Sequence, residues 1–177
     1  MPYAIEMFFD KNSDAYIRQI WRTLKENDIS SSMHDSGNTP HISLAVFNKL
    51  DVSDADQKLH DFSARMPKFQ IPLVNIGTFP TGEGVLFLSP VVTEELLHFH
   101  KALHDLFNDA KDDQWPFYLP GLWIPHCTLA LNLTREKLHE AFDAVLSTHK
   151  PLGVEVDRIG LVEFHPVKVI KEYKLKE

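Results

Sequence analysis

The apolar positions of the chain recur with two periods, and each period predicts one kind of element. Short apolar or alternating runs predict strands, because successive side chains of a strand point to opposite faces. These runs occupy residues 3–9, 40–46, 69–79, 85–88, 125–131, 154–164 and 167–175. Between them, apolar residues recur every three or four positions in four segments, as on the buried face of an amphipathic helix. The expected N-caps of these helices are Asn12 or Ser13, Ser53, Thr93 and Thr134.

The order of the elements repeats in outline between the two halves of the chain. With a short strand or loop at residues 29–38, the first half is interpreted as β-α-β-β-α-β, and the second half as strand, helix, strand, helix and strand. Thr81–Gly84 is predicted to be the turn between the halves, because no Gly-Lys-Ser/Thr follows its glycines as in a phosphate loop. We expect one domain over residues 1–177, with lobes at about 1–80 and 81–177.

Two seven-residue segments are nearly identical. Residues 40–46 are Pro-His-Ile-Ser-Leu-Ala-Val, and residues 125–131 are Pro-His-Cys-Thr-Leu-Ala-Leu. Alternation along a strand places His41 and Ser43 on one face, and it does the same for His126 and Thr128. Each imidazole then lies ~6.6 Å along the strand from a hydroxyl. Two such pairs facing each other across a groove would place a base and an acid on opposite sides of one phosphorus atom.

The two segments resemble the paired His-x-Ser/Thr-Leu motifs of the two-histidine phosphoesterase superfamily, which includes bacterial 2′-5′ RNA ligase-like proteins and cyclic nucleotide phosphodiesterases. The resemblance implies an α/β (α+β) fold of two pseudo-twofold-related lobes. Each lobe would be a small antiparallel-rich sheet with helices on its outer face, and the active cleft would lie between the lobes.

The same resemblance implies a reaction without metal or cofactor on 2′,3′-cyclic phosphates or 2′-5′ linkages, with a nucleotide or an RNA end as substrate. It implies that His41 and His126 are the acid/base pair and that Ser43 and Thr128 bind the phosphate oxygens. The first motif has serine where the family pattern has threonine, which keeps the hydroxyl.

Other interpretations of these histidines remain open. A single histidine after proline in a strand is more often structural than catalytic, so the catalytic interpretation depends on the duplication. A non-catalytic module that holds nucleotides or RNA ends in the same cleft is the alternative from another class. A metal hydrolase built on His34, His41 or the pair His100 and His104 is a further one, because histidines at i and i+4 can bind zinc. No third ligand accompanies that pair in the sequence, which favours the flank of a helix.

Side chains outside the motifs supply weaker candidates for substrate contacts. The proline- and aromatic-rich residues 115–125 lead into His126, so Tyr118 and Trp123 are candidates for stacking on a base, a contact worth ~1–3 kcal/mol. Covering an irregular edge of the core explains them equally well. Lys168 and Lys171 could reach a phosphate, and alternating charge on an edge strand is the competing explanation.

Composition limits the class of protein. The 44% hydrophobic and 24% charged residues are typical of a globular domain, and no apolar run approaches a membrane span. The formal charge of −7 argues against binding long duplex nucleic acid through its phosphates. The single cysteine, Cys127, allows no disulfide within the chain, so we expect a reducing, cytoplasmic location. Cys127 should point away from the histidine face and be buried.

Overall fold

The computed structural model describes all residues 1–177 and contains seven strands and four helices. The strands are β1 (Tyr3–Phe9), β2 (His41–Phe47), β3 (Phe69–Thr78), β4 (Leu86–Pro90), β5 (Cys127–Ala130), β6 (Leu152–Glu163) and β7 (Lys168–Lys174). The helices are α1 (Lys11–Glu26), α2 (Val52–Ser63), α3 (Glu94–Leu106) and α4 (Arg135–Thr148), with short 3₁₀ segments at Asn108–Asp113 and Pro116–Tyr118. None of the four helices has the length and hydrophobicity that a transmembrane segment requires.

All seven strands form one antiparallel sheet in the order β2-β1-β6-β3-β4-β5, and β7 pairs with β6. The predicted α+β class is therefore confirmed. The long strand β6 joins the halves: it pairs with β1 on one side, and on the other with β3 and β7 in succession. The motif strands β2 and β5 lie at the two ends of this order and contact each other. The sheet therefore bends so that its terminal strands meet, while the division into two lobes stays a prediction.

The two faces of β1 separate the core from the site. Ile5, Met7 and Phe9 join a core cluster that draws on both halves of the chain. Glu6 points to the opposite face, and it lies across from Ser43 on β2. Residues that are paired across two strands point to the same face of the sheet. Glu6 therefore lies on the face that carries the polar side chains of the first motif.

Two predicted N-caps are wrong and two are confirmed. Asp10 caps α1 by accepting hydrogen bonds from the backbone N–H groups of Asn12 and Ser13. Asp51 caps α2 in the same way, so Ser53 lies inside the first turn. In both helices an aspartate that precedes the predicted residue is the N-cap. Its carboxylate accepts hydrogen bonds from two free backbone N–H groups, and its negative charge complements the helix dipole. Thr93 and Thr134 cap α3 and α4 as predicted.

No strand forms at residues 29–38, so the first half is β-α-β-α-β and the β-α-β-β-α-β interpretation is wrong. Serine hydroxyls make local bonds there, between Ser30 and Ser32 and from Ser36 to the carbonyl of Met33. Gly37 has a φ of +79°, which a glycine adopts readily. Local side-chain bonds and this backbone conformation favour turns over an extended chain.

Candidate functional site

The two motif histidines are held by the same local hydrogen bond. Nδ1 of His41 lies 2.6 Å from the carbonyl oxygen of Thr39, and Nδ1 of His126 lies 2.7 Å from that of Ile124. A carbonyl oxygen can only accept, so Nδ1 carries the hydrogen in both rings. In each neutral imidazole this leaves Nε2 as the atom that can take up a proton, and in each imidazolium as the atom that can give one up.

The two histidines lie near each other because the strands that carry the motifs are in contact. Burial lowers the pKa of His126, the hydrogen bond to Ile124 opposes that change, and the charge of nearby His41 lowers the pKa further. Burial raises the pKa of the Cys127 thiol to about 12, against the effect of its hydrogen bond to the backbone of His41. Cys127 is fully buried, as predicted, and forms part of the contact between the two motif strands. The duplicated histidines are thus neighbours in space although they lie in different halves of the chain.

The hydroxyl residues of the motifs are anchored by tryptophans from opposite halves of the chain. Nε1 of Trp123 donates to the carbonyl oxygen of Ser43 at 3.0 Å, and Nε1 of Trp21 donates to that of Thr128 at 3.1 Å. Ser43 and Thr128 are half-buried between fully buried neighbours, which agrees with the predicted alternation. Because the indoles bind the backbone, both hydroxyls stay available for a ligand.

A buried carboxylate that the sequence analysis missed lies beside the first histidine. Oε1 of Glu6 is 3.4 Å from Nε2 of His41, and only 6% of the surface of Glu6 is exposed. Burial raises the pKa of Glu6, and the attraction of His41 partly offsets this. The signal in the sequence was a charged residue inside an apolar central strand, since such residues are rarely buried without a partner. Its partner depends on the register between β1 and β2, which the sequence does not give.

The second histidine has an apolar environment instead. The ring of His126 contacts Phe79 at 5.0 Å and Phe87 at 5.2 Å between centroids. Phe87 lies over Gly77, where a Cβ atom would come within 2.5 Å of its ring. The site is therefore asymmetric, with a carboxylate at one imidazole and aromatic rings at the other.

The two aromatic candidates differ in their surroundings. Burial raises the pKa of Tyr118, and the charge of nearby Glu6 raises it further, so this side chain lies close to the first motif. Trp123 stacks on His100 with centroids 3.9 Å apart and planes 1° from parallel. One face of the indole is thus covered, and its N–H is used by β2. The side chain of Phe117 is the most exposed large apolar group of the chain, at 79%.

The histidine pair on α3 supports the first motif strand. Nε2 of His100 lies 3.1 Å and Nε2 of His104 lies 3.0 Å from the carbonyl oxygen of Leu44. Burial lowers the pKa of His100 to about 4, and the neighbouring His104 lowers it too. Nowhere in the chain do three or more His, Cys, Asp or Glu side chains converge as a metal site would require. The geometry therefore favours a structural pair of neutral rings.

Two of the remaining candidates, His34 and Lys171, pair with carboxylates away from the motif histidines, and Lys168 is exposed. His34 contacts Asp35 at 2.7 Å on the exposed loop before β2. Lys171 pairs with Asp56 at 2.6 Å, which turns its ammonium group toward α2. Lys168 is exposed at the start of β7.

A known protein family and several solved structures are similar to this chain over most of its length. A family model of the 2′-5′ RNA ligase superfamily matches residues 10–167, which include both motifs. No curated protein sequence matches the chain significantly. The structure of TT0787 of Thermus thermophilus is similar, with a TM-score of 0.65 and 17% identity over 99% of this chain and 98% of that one.

Two further solved structures have the same fold. E. coli LigT complexed with 3′-AMP gives a TM-score of 0.61 at 14% identity, covering 99% of this chain and 97% of that one. Usb1 of Kluyveromyces marxianus gives 0.53 at 13% identity, covering 98% of both chains. At these identities the likeness establishes the fold, and the chemistry must be argued from the site.

Proposed function

Because this chain belongs to the 2′-5′ RNA ligase superfamily, we propose that it is a phosphoesterase that opens 2′,3′-cyclic phosphates of nucleotides or RNA ends, or that reversibly joins RNA ends through 2′-5′ linkages. The observation that carries the proposal is the duplicated histidine geometry. Each ring is fixed through Nδ1 to the carbonyl two residues before it, and each presents Nε2 for proton transfer. Membership of the superfamily supports the coarser assignment to a phosphoesterase or 2′-5′ RNA ligase-like function.

In the proposed reaction a water molecule attacks phosphorus while one imidazole takes its proton. The bond from phosphorus to one ribose oxygen breaks, and the other imidazole gives that oxygen a proton. Ser43 and Thr128 would bind the nonbridging oxygens and hold the phosphate so that attack and departure are in line. None of these steps uses a metal ion.

The nature of the substrate is inferred from chemistry and from the structural neighbours. E. coli LigT has been crystallised with 3′-AMP, with NADP⁺ and with ATP, so that protein accommodates nucleotide-type ligands. For this chain we propose a nucleotide or RNA end in the same cleft, with Tyr118 as the candidate for stacking. Trp123 is the weaker of the two because His100 covers one face of its ring.

The test is hydrolysis of the four 2′,3′-cyclic mononucleotides in excess EDTA, with 2′- and 3′-phosphate products resolved. His41→Ala and His126→Ala should each lower turnover by ~10²–10⁴, the usual contribution of a general acid or base. His60→Ala is the matched control, because His60 is exposed on α2 and should leave turnover unchanged. Near-normal turnover by both motif variants would overturn the proposal. Tight binding without product would favour the non-catalytic module instead.

A further inference from the structure

The carboxylate of Glu6 gives the two histidines different roles. We propose that Glu6 is a positioning residue that keeps the proton on Nε2 of His41, so that His41 is the general acid and His126 the general base. This inference rests on the proposed function and specifies its direction of proton transfer.

The geometry around Glu6 leaves His41 as its only ionic partner in the chain. The carboxylate lies on β1 and has 6% of its surface exposed, and its one ion-pair contact is Oε1 to Nε2 of His41 at 3.4 Å. A buried charge needs an opposite charge or must be neutralised by a proton. The pair is therefore stable with one shared proton, and transfer of that proton to a departing ribose oxygen is the step that an acid must perform.

None of the other titratable groups near His41 supplies a charge that competes with His41 for the carboxylate of Glu6. His126 stands before β5, and repulsion between two cations disfavours the state in which both rings are protonated. Cys127 on β5 holds a neutral thiol because burial raises its pKa to about 12. Tyr118 keeps its phenolic proton because burial and Glu6 raise its pKa. No cation other than His41 pairs with Glu6.

The surroundings of His126 favour the base role. Phe79 and Phe87 pack against its ring, and no carboxylate pairs with it. Burial lowers the pKa of His126, which favours the neutral ring that a base requires. The asymmetry of the site therefore points in one direction: the ring beside the carboxylate carries the proton, and the ring packed against the two phenylalanines accepts one.

Bonds and protons balance in the proposed step. Nε2 of His126 takes a proton from the attacking water, whose oxygen bonds to phosphorus. The bond to one ribose oxygen breaks, and that oxygen receives the proton from Nε2 of His41. The product is a phosphate monoester with a free hydroxyl. His126 then releases one proton to solvent and His41 takes one up, which returns both rings to their starting states.

The experiment compares wild type with Glu6→Gln, using Glu155→Gln on β6 as the matched control. In a plot of kcat/KM against pH, the alkaline limb reports loss of the acid's proton. Because Glu6→Gln lacks the carboxylate, its alkaline limb should lie at least about one pH unit below that of the wild type. Its acid limb should stay in place. Glu6→Asp, which keeps the charge, should restore most of the shift. An unmoved alkaline limb, or a shifted acid limb, would overturn the assignment.

Two readouts separate this inference from the proposed function. With bis(4-nitrophenyl) phosphate, whose leaving group departs as an anion, Glu6→Gln and His41→Ala should lose at least tenfold less activity than with a cyclic nucleotide. His126→Ala should lose the same on both substrates.

NMR titration of the His41 ring needs no substrate, and its midpoint should fall in Glu6→Gln and stay unchanged in Glu155→Gln. A midpoint that does not move would overturn the role of Glu6 even in an active enzyme. A moved midpoint in a protein that turns over none of the substrates would support the coupling of Glu6 to His41 and refute the phosphoesterase proposal. Thermal melts of each variant identify any loss of fold.

Discussion

The indole N–H of Trp21 on α1 binds the carbonyl oxygen of Thr128 at 3.1 Å, so a helix of the first half anchors the motif strand of the second. The reciprocal bond runs from Trp123 to Ser43. Each phosphate-binding candidate therefore depends on a residue from the other half of the chain, and the spacing between the motifs is fixed by these two cross-links.

Removing either indole donor should destabilise the protein and disturb the site. Trp21→Phe and Trp123→Phe should each lower the free energy of unfolding by about 0.5–1.5 kcal/mol, because a partly buried carbonyl loses its hydrogen-bond donor. Denaturant titration measures this. Trp115→Phe is the control, since Nε1 of Trp115 binds the exposed side chain of Asn48, and we expect a change within about 0.5 kcal/mol. Equal effects of all three would contradict the cross-link argument.

Exposing His126 to water should change the pH dependence of activity. Burial lowers the pKa of His126, so Phe79→Ala, which removes one of the rings against it, should let that pKa rise toward its ordinary value. A base that becomes protonated at higher pH shifts the acid limb of the rate profile to higher pH. The measurement is kcat/KM against pH, with Phe117→Ala as a control at an exposed aromatic residue. An acid limb that stays in place would show that packing by Phe79 does not hold His126 neutral.

The cap of α1 should stabilise the fold in a pH-dependent way. Burial acts to raise the pKa of Asp10, but hydrogen bonds from Ser13 and Asn12 outweigh it and the pKa is lowered. A lowered pKa in the folded state means that this stabilisation is present above about pH 4, the unfolded value, and is lost as pH falls through the folded value. Asp10→Ala should therefore cost about 0.5–2 kcal/mol at neutral pH and progressively less in acid.

Chemical denaturation of the wild type and Asp10→Ala at a series of pH values measures this difference.

Ser53→Ala tests the corrected cap of α2 in the same experiment. Because Asp51 and not Ser53 caps that helix, this variant should stay within about 0.5 kcal/mol of wild type. A loss of unfolding free energy as large as that of Asp10→Ala would show that Ser53 caps the helix after all.

Two glycines on the sheet should be intolerant of a methyl group. A Cβ atom at Gly160 would lie 2.2 Å from the ring of Phe8, and one at Gly77 would lie 2.5 Å from the ring of Phe87. Gly160→Ala and Gly77→Ala should each cost about 1–3 kcal/mol, because the ring must leave its place in a packed site. Gly153→Ala is the control, since its Cβ would meet a flexible glutamine at 3.6 Å. Unfolding midpoints that match the control would show that the rings move freely.

The sequence predicts those parts of the site that depend on local pattern. Alternation in each motif places the hydroxyls, and strand contexts around His41 and His126 are confirmed apart from the start of β5, which follows His126 by one residue. Glu6 was missed because its relation to His41 arises from pairing between β1 and β2. The hydrogen bond from Trp123 to the carbonyl of Ser43 was missed for a similar reason, since the two residues are 80 positions apart in the sequence. Partners set by register and by helix packing between halves are not encoded in any local window.

The central place of β1 has a consequence for synthesis of the chain. β1 pairs with β2 along one edge and with β6 along the other, and β6 begins only at residue 152. At ~5–20 residues per second, the ribosome delivers the second partner on the order of 10 s after the first strand emerges. Throughout that interval the strand that carries Glu6 has an open, mostly apolar edge. Nascent chains that stall before β6 should therefore be ready substrates for chaperones and prone to pair with one another.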